Sequence, residues 1–105
     1  MTEADLLSLI AARVMEDRTV EYKEALPGGT DSDKREFLAD VSSFANSSGG
    51  NLYFGIRELE GIPVELVGLD LQDADATIQR IENLIRDGIE PRLPPLRIEK
   101  VELSS

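Results

Sequence analysis

The sequence predicts a mixed α/β domain, a mixed β-sheet with helices packed on it, in the element order α-β-α-β-β-α-β. Three observations carry that prediction. Apolar residues recur at the helical period in three stretches and in shorter strand-like runs between them. Clusters of Gly, Pro, Asn and Ser separate the stretches. The length of 105 residues suits a single domain, 1–105, with one modest core. Helical and strand-like patterns in this order place helices on a sheet.

Thr2 is placed to cap a first helix, and Asp5, three residues on, completes a box-like pair. Leu6, Leu7, Ile10 and Val14 then share one face, and the pattern ends near Met15. Thr19 to Lys23 alternates as a short strand, with Val20 and Tyr22 on one face and Glu21 and Lys23 on the other. Pro27 to Asp31 is a loop. Asp33 with Glu36 reads as a second cap, ahead of Phe37, Leu38, Val41, Phe44 and Ala45 at helical spacing. Asn46-Ser47-Ser48-Gly49-Gly50 stops that helix. Asn51 to Ile56 is apolar on both faces, which suits a central strand. A loop around Gly61 and Pro63 leads to a partner strand, Val64 to Leu69. The two runs suit an antiparallel hairpin whose register so long a loop leaves open.

A third helix starts near Asp73 or Asp75, buries Ile78, Ile81, Leu84 and Ile85, and ends at Gly88 and Pro91. Pro94-Pro95 opens an extended segment through Leu103. Leu96 and Ile98 share one parity while Val101 and Leu103 share the other, and a bulge near Glu99-Lys100 would reconcile them. There are no internal repeats. The sequence stops directly after this segment with its edge uncovered, so we expect an N-terminal domain of a longer protein, lacking its closing portion. The alternative is a small protein that pairs through that edge.

The chain has no cysteine, no histidine and no tryptophan. Disulfides, thiolate nucleophiles, cysteine-based zinc sites and imidazole catalysis are therefore excluded. Chemistry must rest on carboxylates, Lys, Arg, hydroxyls or backbone groups. Twenty-one acidic residues against eleven basic give a formal charge of −10. That is a poor electrostatic footprint for gripping phosphates. The charge is uneven: residues 58–79 carry six acids and no base, whereas 80–100 is nearly balanced. No apolar run is long enough to span a membrane and no signal peptide is visible, so a soluble cytoplasmic protein is the expectation.

Three constellations carry possible chemistry. In Glu16 to Lys23, Glu16 sits where the first helix hands over to the strand and Glu21 points from the strand's polar face. Two carboxylates so placed can hold a hard cation such as Mg²⁺, which activates water and stabilises a phosphoryl transition state. Lys23 shares the parity of Glu21 and could meet a phosphate there. The plainer alternative is a polar strand face with an ordinary Glu–Lys pair. In Ser43 to Asn51, the Gly pair permits close backbone approach, but no GxxxxGK[ST] loop is present, and a helix stop is the simpler reading. Arg57-Glu58 lies at the end of the central strand, where α/β sheets often place functional side chains. Glu58 would be a third carboxylate, or simply a charged residue opening a loop.

Taken together, these stretches resemble the Schlafen/AlbA-like DNA-binding domain family, called a divergent AAA domain in older naming. The resemblance rests on Glu16 through Lys23, on Phe44-Ala45-Asn46 with Gly49-Gly50, on Leu52 through Ile56, and on Val67-Gly68-Leu69. It covers roughly residues 3 to 103 and implies a mixed α/β domain that often precedes other modules in bacterial regulators and ATP-binding proteins. In Schlafen ribonucleases three carboxylates hold a divalent metal that cleaves structured RNA. By motif the first two are Glu16 and Glu21. The third is usually an Asp after the central strand, and here Glu58 stands in that region with Arg57 beside it.

The resemblance thus implies Glu16, Glu21 and Glu58 as metal-holding and catalytic candidates for Mg²⁺ or Mn²⁺, and Lys23 and Arg57 as nucleic-acid contacts. An Arg at position 57 would compete for the carboxylates and could take the metal's place. The leading expectation is a nucleic-acid-binding regulatory module, for DNA or RNA, that binds weakly or with help from the rest of its protein. The alternatives are a metal-dependent endoribonuclease and a domain that homodimerises through its sheet edge. An ATPase role ranks last.

Overall fold

The computed structural model describes residues 1–46, 49–89 and 96–104. Helix α1 (Glu3–Ala11) opens on the expected box. Thr2 Oγ1 accepts from the Asp5 N–H at 3.3 Å, and the Thr2 N–H donates to Asp5 Oδ2 at 2.7 Å. The helix ends earlier than its apolar pattern. Arg13 turns left-handed (φ 53°), its N–H bonds to Ile10 O, and the Val14 N–H reaches back to Leu9 O. Those two bonds form a Schellman end with arginine where glycine is usual.

Strand β1 (Val20–Lys23) pairs in parallel with β2 (Asn51–Phe54), placing Tyr22 opposite Tyr53 and Lys23 opposite Phe54. Between them runs α2 (Asp31–Asn46), the crossover that a parallel pair requires. Its cap is Thr30, whose Oγ1 accepts from the Asp33 N–H at 3.1 Å. Asp33 therefore stands at the third helical position and not at the cap itself.

The run expected as one strand, Asn51 to Ile56, is divided at Gly55, which adopts φ 91°. A Cβ there would lie 3.1 Å from the carbonyl carbon of Gly68, so the backbones can cross only at glycine. Beyond it, β3 (Ile56–Leu59) and β4 (Ile62–Leu66) form an antiparallel hairpin. Its loop is only Glu60-Gly61, both with positive φ (52° and 83°), as a two-residue primed turn demands. Arg57 and Glu58 lie within the strand instead of opening a loop. Helix α3 (Ala74–Gly88) is capped by Asp73, which accepts from the Ala76 N–H at 3.0 Å.

The β1–β2 ribbon separates two apolar clusters. On one side Phe37, Val41, Ile81 and Ile89 are buried with Leu52 and Phe54 against them. On the other Leu6, Tyr22 and Ile56 are buried with Val20, Tyr53 and Leu66. Helices α2 and α3 thus cover one face, and α1 with the hairpin covers the other. The mixed α/β class and the expected order of elements hold through α3. Residues 96–104 form no ladder among the described residues, and the expected bulge is unnecessary. Ile98 packs into the α2–α3 cluster and Val101 into the α1 cluster, so opposite parity simply sends them to opposite faces. The Pro94-Pro95 start lies outside the described residues. Ser104 closes on α1, its N–H donating to Glu3 Oε1 at 3.2 Å.

Candidate functional site

The parity of β1 decides what it offers. Tyr22 turns into the α1 cluster and donates its hydroxyl to Val14 O at 2.6 Å, fixing the chain that follows the helix. Glu21 and Lys23 take the other face, towards α2. There Glu36 and Asp40, four residues apart on one helical face, meet them. The Lys23 ammonium stands 3.3 Å from Glu21 Oε1, 3.5 Å from Asp40 Oδ2 and 3.6 Å from Glu36 Oε1. The Asp40 Oδ2 atom is buried and makes no hydrogen bond, so this ion pair is its compensation.

Two open clefts of about 280 and 300 Å³ flank the cluster, and Asp40 forms part of the wall of both. The first holds Glu16, Asp17, Arg18, Glu21, Asp40 and Ser43 among its lining, and the second holds Lys23, Asp33 and Glu36. Burial and then the neighbouring Asp40 raise the Glu21 carboxyl above its ordinary value, against the opposing pull of Lys23. Burial works to lower the Lys23 ammonium, but Asp40 and Glu21, with a smaller part from Glu36, outweigh it and raise it. The Lys23 shift reflects the carboxylates gathered around one ammonium, whereas the Glu21 shift is first a consequence of burial.

Glu16 also lines the first cleft beside Glu21 and Asp40 and helps to raise the Glu21 carboxyl, whereas Glu58 lies on the hairpin; both carboxylates are engaged by backbone N–H groups. The Glu16 carboxylate accepts the Tyr22 N–H at 2.9 Å, while its backbone N–H donates to Gly61 O at 2.7 Å. Glu58 Oε2 accepts the N–H of the same Gly61 at 2.6 Å. Gly61 therefore ties these two segments together at the hairpin turn, and Glu21 is directed to Lys23. Arg57 lies on the hairpin, its Nε and Nη2 both donating to Glu65 Oε1, at 3.1 and 2.8 Å. It does not act as a plug among the carboxylates.

A divalent ion needs several oxygens converging at about 2.0–2.6 Å. Among the described residues no group of three acidic side chains is placed to hold a metal ion. Glu16 and Glu58 each cap a backbone N–H, and Glu21 faces an ammonium. As arranged, the three do not fit a divalent ion. Glu36 and Asp40 were missed from the sequence. Their i, i+4 spacing was legible, but nothing there says that the helix face they share is turned towards Lys23.

Residues 16–105 match the family model described as Schlafen, AlbA_2. The chain belongs to the Schlafen, AlbA_2 family. No curated protein and no solved structure matches the chain. In this Schlafen, AlbA_2 chain the family match begins at Glu16, the residue where the carboxylate-bearing segment begins. Among its described residues no helix is long and apolar enough to cross a membrane.

Proposed function

We propose that this Schlafen, AlbA_2 domain is a nucleic-acid-associated regulatory module that contacts DNA or RNA without cleaving it. Family membership supports the nucleic-acid part of the reading. The non-catalytic part rests on one observation: Glu16, Glu21 and Glu58 are each engaged by a Tyr22 N–H, a lysine or a Gly61 N–H. With a formal charge of −10, the domain binds weakly, through whatever few Lys and Arg contacts it makes to phosphate. Such a module suits a multidomain protein in which another part supplies most of the affinity.

The test is a titration of the chain with single- and double-stranded DNA and RNA at low salt, in EDTA. Weak binding to at least one of them, lost as salt rises, is the expected result. No binding to any of them would overturn the reading. A second arm incubates structured RNA with Mn²⁺. Cleavage that disappears in Glu21→Gln would replace this reading with a metal-dependent ribonuclease.

A further inference from the structure

The cluster on the polar face of β1 holds a cation already. Glu21 comes from the strand itself, and Glu36 and Asp40 come from α2, sixteen residues long and packed across it. Their oxygens surround Lys23 Nζ at 3.3 to 3.6 Å. Those distances suit a bulky ammonium, because a bare divalent ion draws its ligands in to about 2.0–2.6 Å. Asp40 shows how much depends on the lysine. Its side chain is only 23% exposed, and its buried Oδ2 has no hydrogen bond to replace the Lys23 charge. A carboxylate stripped of water and left without a counter-charge is costly.

We propose that Lys23 is the resident cation of this Schlafen, AlbA_2 domain, its ammonium supplying the positive charge that Glu21, Glu36 and Asp40 share, in an arrangement that does not fit a divalent ion. The lysine pins β1 to α2 and leaves Glu21 unavailable to a metal. The wild-type chain accordingly takes up no stoichiometric divalent ion at neutral pH. As placed around the ammonium, Glu21, Glu36 and Asp40 do not converge at metal distance. Removing the ammonium takes away their shared counter-charge and lets them draw in on a divalent ion, since carboxylate oxygen is the donor type that Mg²⁺ and Mn²⁺ prefer. The lysine is therefore a positioning residue, and its role is independent of whether the domain binds nucleic acid.

The experiment is a titration of the full 105-residue chain with MnCl₂, followed by calorimetry and by the electron-spin signal of free Mn²⁺. Wild type is expected to give no saturable binding. Lys23→Met, which keeps the aliphatic stem, is expected to bind Mn²⁺ at least roughly tenfold more tightly than wild type, since a unit positive charge has left the cluster. Adding Asp40→Asn to that variant is expected to abolish the gain. A wild-type chain that binds one Mn²⁺ and loses it in Glu21→Gln overturns the proposal, as does a folded Lys23→Met chain that gains nothing. Circular dichroism reports whether Lys23→Met folds, and if it does not, the wild-type titration decides alone. The nucleic-acid titration in EDTA is a separate measurement, so the two readings fail separately.

Discussion

Gly50 and Thr19 meet backbone to backbone: a methyl group on Gly50 would lie 2.6 Å from the Thr19 carbonyl oxygen and 2.9 Å from its Cα. The contact sits where β2 enters beside β1, and the Asn51 N–H donates to the same oxygen at 2.7 Å. The preceding Gly49 differs. It has φ 94° but open space around its missing Cβ. Gly50→Ala therefore forces two strands apart and is expected to cost about 1–3 kcal/mol, as overpacking does. Gly49→Ala meets only backbone strain, about 1–2 kcal/mol. Urea denaturation checks both, and amide exchange of Asn51 separates them, because only Gly50→Ala should speed it. Unchanged Asn51 exchange in Gly50→Ala would mean the close approach is absent in solution.

Glu58 tests whether a residue of the proposed triad is structural. Its Oε2 caps the Gly61 N–H at the hairpin turn. Glu58→Ala removes that acceptor and is expected to cost about 0.5–1.5 kcal/mol. Glu58→Gln keeps a carbonyl oxygen in reach and is expected to lose less than half as much. Denaturation midpoints report the energies, and faster exchange of the Gly61 amide in Glu58→Ala alone identifies the bond. Equal losses in both variants would assign the effect to charge and remove the capping role.

Much of this fold could be read from residue order, and the failures have local causes. The Thr2–Asp5 box and the β1 parity depend only on neighbours within three or four residues, and both hold, while the start of α3, open between Asp73 and Asp75 in the sequence, falls at Asp73. Helix α1 ends short of its apolar pattern because Arg13 adopts a conformation that usually signals itself by glycine. The hairpin loop is shorter than the sequence suggests because Pro63, which reads as a break, is buried inside β4 at a place where the ladder is already irregular. The split at Gly55 depends on the approach of Gly68, thirteen residues on, which no local pattern reports. The candidate site follows the same division. Pairing of Glu21 with Lys23 is a two-residue matter, but the arrival of Glu36 and Asp40 is set by how α2 packs.

The first helix carries a pH signature. The Asp5 carboxyl is held below its ordinary value of 3.8, first by the Thr2 N–H and next by the Thr2 hydroxyl. A carboxyl with a lower pKa folded than unfolded contributes stability that is present above the unfolded value. That contribution is lost as pH falls through the folded one. Asp5→Asn removes this titration. The stability difference between wild type and Asp5→Asn is therefore expected to be largest above pH 3.8 and to shrink as acid protonates the wild-type group. Thermal midpoints of both proteins across that range check it. A difference that grew towards acid would reverse the sign and break the link to the cap.

Arg57 was expected to meet nucleic acid, and its pairing with Glu65 makes that expectation quantitative. The two side chains are about half exposed, 50% and 55%, so their bond is open to solvent and weak. While Glu65 neutralises it, Arg57 adds little to a phosphate contact, and Arg57→Ala is expected to change the affinity for single-stranded RNA less than about twofold. Glu65→Gln releases the guanidinium and removes a negative charge beside it. That variant is expected to bind roughly 2–5 times more tightly at low salt, with a log–log salt slope steeper by about one phosphate contact. Anisotropy of a labelled oligonucleotide over a salt series measures both. If Arg57→Ala alone weakens binding severalfold and flattens the slope, the Arg57–Glu65 pair opens on binding and Arg57 already grips the backbone.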